Sequence, residues 1–141
     1  VFFLKPCGGV REAMEYIRGH GSPGDVILAD IFAAPTILSY QDSGAGAGIK
    51  DRSIYFERMD ELRDSPEFVA EKTIAMLPGD RPVWFVAEAS GYARRTGSGY
   101  LRNKTIEMQR LLKKERRLRA EYHTDRSRAL YFSARSETSP R

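Results

Sequence analysis

The chain has 141 residues, 41% hydrophobic and 30% charged, with 12 Gly and 7 Pro; this fits one globular domain, expected over residues 1–135, and excludes a disordered or fibrous chain. No apolar run approaches the ~20 residues needed to cross a bilayer, and one Cys with two His excludes an internal disulfide and supplies too few ligands for a protein-only zinc cage. The net charge of +4 is unevenly spread: 9 Lys/Arg face 14 Asp/Glu from Val1 to Ala93, whereas 14 face 5 from Arg94 to Arg141.

The chain opens on Val1 without an initiator Met, so it is expected to be part of a longer protein. Val1 to Leu4 reads as a first strand, closed by a turn over Lys5-Pro6-Cys7-Gly8-Gly9. Val10, Ala13, Met14 and Ile17 then recur at helical spacing, and Gly19 or Gly21 can end that helix. Ser22-Pro23-Gly24-Asp25 is a turn, and Val26-Ile27-Leu28-Ala29 is short and apolar enough for a strand buried on both faces. A short helix is expected from Pro35 to Tyr40, a loop from Gln41 to Gly48 and a strand from Ser53 to Phe56.

Ser65-Pro66 is an N-cap followed by proline, and Val69, Thr73, Met76 and Leu77 mark the inner face of the helix that Pro78-Gly79 ends. Pro82 to Ala87 is an apolar strand, so helix, Pro-Gly-Asp and buried strand occur twice, the rhythm of a parallel α/β sheet. A polar loop over Ser90 to Gly99 precedes a longer helix whose inner stripe is Leu101, Thr105, Met108 and Leu112. Arg117 to His123 and Arg128 to Ala134 alternate apolar with polar residues around Thr124-Asp125-Arg126-Ser127, which predicts an antiparallel hairpin. Ser136 to Arg141 is expected to be a disordered tail. These elements predict an α/β three-layer sandwich, Rossmann-like, with a mainly parallel central sheet and a C-terminal antiparallel strand pair.

Gly44-Ala45-Gly46-Ala47-Gly48 lacks the third glycine of a dinucleotide fingerprint, since Ile49 stands where it would fall, and it reads as a loop. Gly8-Gly9 reads as a tight turn. Ser90 has no nucleophile elbow, and neither His20 nor His123 has a neighbouring motif for base catalysis. Trp84, Phe85, Tyr131 and Phe132 read as core and strand residues. Asp30 and Glu88 each close a predicted buried strand, at the sheet edge where open α/β folds bind ligands, with Tyr40 expected nearby. Two carboxylates there suit sugar hydroxyls or acid/base work, or else they cap turns and pair with Arg. Arg110, Lys113, Lys114, Arg116, Arg117 and Arg119 crowd the end of the last helical pattern. They suit the helix dipole, and Arg110, Lys113, Lys114 and Arg117 share one helical side that would attract anionic lipid headgroups or phosphorylated lipids. No nucleic-acid recognition motif accompanies them, so no nucleic acid is expected.

Val10 to Arg18, Ser22 to Asp30, Ala34-Pro35 through Tyr40, and Arg81-Pro82-Val83-Trp84-Phe85-Val86 together resemble a soluble C-terminal region of bacterial polytopic glycosyltransferases, the dolichyl-phosphate-mannose-protein mannosyltransferase-like membrane enzymes. The shared order is a helix with a Tyr-Ile end, a Pro-Gly-Asp turn, a buried strand, a short helix ending in Tyr, and a Trp-containing strand. Gln41, where a second Tyr often stands, and the glycine-rich stretch depart from it. The resemblance implies an extracytoplasmic domain at the bacterial inner membrane, joined to a membrane-embedded catalytic portion, and adds a polyprenyl-phosphate headgroup to the partners expected of the basic side. The catalytic carboxylate of such enzymes belongs to that portion, so no catalytic residue, metal or cofactor is assigned. Three functions stay open: an accessory domain of a polyprenyl-phosphate-sugar-dependent glycosyltransferase, an independent nucleotide- or sugar-phosphate-binding enzyme, and an interaction module with a basic helix.

Overall fold

The computed structural model describes residues 8–22, 24–30, 32–42, 53–56, 65–88, 99–124 and 127–135. The expected strand over Val1–Leu4, the stretch Gly44–Gly48, the loop from Ser90 to Ser98 and the tail from Ser136 lie outside them. Among the described residues the chain forms α1 (Gly8–His20), β1 (Val26–Ala29), α2 (Ala34–Asp42), β2 (Ser53–Phe56), α3 (Pro66–Ala75), β3 (Val83–Glu88), α4 (Gly99–Glu115), β4 (Leu118–His123) and β5 (Ser127–Phe132).

The strands make one five-stranded sheet in the order β2-β1-β3-β5-β4. β1 pairs in parallel with β2, Val26 opposite Ser53, and with β3, Val26 opposite Val83. β5 runs antiparallel to both β3 and β4, with Val83 and Leu118 each opposite Phe132. The sheet is therefore mixed, parallel in its β2-β1-β3 half and antiparallel where the hairpin joins. β1 carries the reason for its central place: four residues without a polar side chain are buried on both faces.

Strand alternation divides the core in two. Ile27, Ala29, Trp84 and Val86 face α1 and α2, packing on Ala13, Met14, Ile17, Ala33 and Ile37. Val26, Leu28, Val83 and Phe85 face the opposite way, packing on Ala70, Ile74, Met108 and Leu112 of α3 and α4. The step from β1 to β2 passes over the first face through α2; the step back past β1 to β3 passes over the second through α3. Direction and face reverse together, so both crossovers have the same hand.

Several local expectations are corrected. Gly8 and Gly9 are not a turn but the first turn of α1, where N–H groups need no intrahelical acceptor. Ser65 caps α3 as expected, its Oγ accepting from Phe68 N–H at 3.1 Å, yet Met76 is not on the inner stripe. The helix ends at Ala75, leaving Met76 as a C-cap residue 38% exposed, and Ala70 and Ile74 are buried in its stead. In α4 the buried positions are Lys104, Met108, Leu111 and Leu112, while Thr105 is only partly covered.

Candidate functional site

Asp30 and Glu88 come to the same end of the sheet on neighbouring strands. Asp30 follows β1 directly, and its backbone N–H donates to Val86 O of β3 at 3.0 Å; Glu88 is the last residue of β3. From this edge the chain leaves β1 toward β2 on one side and β3 toward β4 on the other, which makes it a topological switch point. Asp30 is fully buried, and its Oδ1 accepts from Ala33 N–H at 2.8 Å, so it also caps the entry to α2. Its oxygens are there because the chain turns back sharply, with Ala33 and Ala34 N–H both reaching Asp30 O at 3.2 Å.

Tyr40 is on the helix that Asp30 caps. It is buried in α2, six residues or about 9 Å along the helix from its first residue, and packs against α1. The Arg11 guanidinium carbon lies 5.6 Å from the ring centroid. Burial pushes the phenol pKa up, and the negative charge of Glu15 pushes it the same way, against Arg18 and Arg11.

Lys104, which the sequence reading passed over, is fully buried in the N-terminal half of α4. The signal was its spacing, four residues before Met108 on the apolar stripe. The two carboxylates on neighbouring strand ends, Asp30 and Glu88, are chemically suited to hydroxyl groups of a ligand.

The basic residues occupy the opposite end. Arg110, Lys113 and Lys114 are exposed on α4, and Arg110 pairs with Glu107 of its own helix at 2.7 Å. Arg117 is exposed but lies beyond α4, in the connection to β4, so helical spacing does not place it beside the others; the helix stops one residue before Arg116. Arg116 turns inward, 4% exposed. Its guanidinium donates to the carbonyls of Pro78 and Arg81, each at 2.7 Å, and of Ser133 at 3.3 Å. Burial lowers its pKa and Arg135 adds to that, while Glu115 opposes.

Among the described residues no group of His, Cys, Asp and Glu is placed to hold a metal ion, and no helix is long and apolar enough to cross a membrane. Comparisons with protein families, with curated proteins and with solved structures found no match to this chain.

Proposed function

We propose that the chain is an accessory, extramembrane domain of a bacterial membrane glycosyltransferase that uses polyprenyl-phosphate sugars, positioning an acceptor or orienting the enzyme without turnover of its own. One observation carries the reading: the residues that make up the sequence resemblance meet in space. Trp84 Nε1–H donates to Asp25 at 3.1 Å, the Tyr16 ring meets Trp84 edge-on with centroids 5.9 Å apart, and Tyr40 belongs to the same core. The pattern of helix, Pro-Gly-Asp turn, buried strand and Trp strand thus has a physical basis as one packed unit. A Rossmann-like description fits the β2-β1-β3 half and its same-handed crossovers, with the β5-β4 hairpin as an addition. Sequencing the gene upstream of Val1 is the test. Multiple apolar spans of ~20 residues are expected there; an initiation codon next to Val1, or glycosyl transfer by the 141-residue chain alone, would refute the reading.

The meeting of Asp30 and Glu88 on neighbouring strand ends at a switch point favours a second reading, an independent domain that binds a nucleotide or sugar phosphate at that edge. Thermal shift with a panel of both ligand classes tests it. A ligand at ~100 times its Kd would add about 2.7 kcal/mol of stability, and no shift with any of them rejects it.

A further inference from the structure

We propose that the end of the domain where β3 and β4 begin is a docking face for an anionic bilayer surface. Contacts around Arg116 bring three separate segments together there. The guanidinium of Arg116 holds the Pro78 and Arg81 carbonyls at 2.7 Å. Arg117 N–H donates to Ser133 Oγ at 3.3 Å, and Arg135 N–H donates to Gly79 O at 2.8 Å. Arg81, Arg117 and Arg135 are all exposed around this buried cation, and Lys113 and Lys114 are exposed in the last turn of α4 just before it.

Six cations, Arg81, Lys113, Lys114, Arg116, Arg117 and Arg135, stand against three acids, Asp25, Asp80 and Glu115, a local balance of +3. Helix termini account for only part of this. α1, α3 and α4 all end here, and each C-terminus carries about half a negative charge, so together they offset roughly one and a half positive charges and leave an excess of about one to two. Of these cations, Arg135 faces Glu115 at 3.7 Å and Lys113 lies close enough to Glu121 to lower its pKa.

The chemistry fits a bilayer better than a discrete phosphate. The exposed cations come from three chain segments, and the buried Arg116 guanidinium is spent on backbone carbonyls, so a diffuse negative potential suits them. Met76, 38% exposed two residues before Pro78, adds an apolar contact at the same margin. The inference rests on the membrane placement proposed above, but the two fail separately: the gene upstream of Val1 tests the placement, and lipid binding by the 141-residue chain tests this face.

Co-sedimentation with phosphatidylcholine vesicles, with and without phosphatidylglycerol, is the experiment, at low and high salt. Binding is expected only to the anionic vesicles and is expected to fall with salt. Each cation near such a surface contributes about fivefold in partitioning, so Lys113→Glu with Lys114→Glu should weaken it by about 30-fold or more. Arg81→Glu should weaken it too, whereas Asn103→Glu, toward the other end of α4, should not. Thermal melts of each variant establish that it is folded. Equal binding to both vesicle types, full retention by the double variant, or tighter binding to double-stranded DNA than to anionic vesicles would overturn the proposal.

Discussion

The Asp25 carboxylate accepts the Trp84 indole N–H at 3.1 Å and, on the same oxygen, the Ser22 N–H at 2.9 Å. A turn residue thereby locks the entry of β1 to its parallel neighbour β3. Trp84→Phe deletes the donor and part of a buried ring, so it should cost more than a hydrogen bond to a charged group alone, which is worth about 1.5–3 kcal/mol. Asp25→Ala strands both donors without opening a cavity in the core and should cost about 1–3 kcal/mol for each. Urea denaturation of both variants and the double variant checks this; additive losses would show that the two residues are not coupled.

Arg116 should be among the most sensitive charged positions. Arg116→Met leaves three carbonyls without their donor, and at about 1–3 kcal/mol per stranded buried group the loss should reach several kcal/mol. Arg116→Lys keeps the charge but cannot span acceptors on three segments, so it should recover only part. Chemical denaturation reads both; a loss under about 1 kcal/mol for Arg116→Met would place these bonds at the level of a surface contact.

The two Pro-Gly-Asp turns should respond differently to the same substitution. A Cβ on Gly24 meets nothing within 4 Å, whereas one on Gly79 would come within 2.5 Å of the Arg135 guanidinium. Gly24→Ala should therefore stabilise by about 0.4–1 kcal/mol through the unfolded state. Gly79→Ala must displace the Arg135 side chain, and its cost should vanish in an Arg135→Ala background. Melting temperatures of the wild type, the three single variants and the Gly79→Ala/Arg135→Ala double variant decide it.

Tyr40 predicts alkaline lability. Its pKa stands above the ordinary 10.0 because of burial first and Glu15 second, so the fold favours the neutral phenol. That contribution is complete below about pH 10, the unfolded value, and is lost as pH rises through the higher folded value. Tyr40→Phe should flatten the alkaline fall in melting temperature, though not abolish it, since burial also raises Tyr122. Identical alkaline limbs for the two proteins would contradict the assignment.

What could be read from the residues was local. Val26 to Ala29 announced a doubly buried strand, Ser65-Pro66 a capped helix, and the Thr124 turn a hairpin, and each signal lies within a few residues of what it specifies. Asp30 and Glu88 were legible as strand ends because a strand boundary is also local. The fate of Arg116 was not, since its carbonyl acceptors stand 17, 35 and 38 positions away. Lys104 was missed because charge and periodicity conflicted, and the sheet's packing decided in favour of periodicity. Strand order was equally hidden: nothing in either hairpin strand says that the last one, β5, inserts beside β3.

That insertion has a consequence for biosynthesis. β3 emerges with Val83 to Ala87 ready to pair on both edges, but its second partner, β5, is made after α4 and β4, so that Leu130 and Phe132 come some 45 residues later. Until then an apolar edge containing Trp84 and Phe85 is open to any other nascent or unfolded strand. Non-local pairing of this kind forms slowly. Vulnerability to aggregation should therefore concentrate in the interval between synthesis of β3 and closure by β5, and a chain interrupted before Phe132 would carry that open edge permanently.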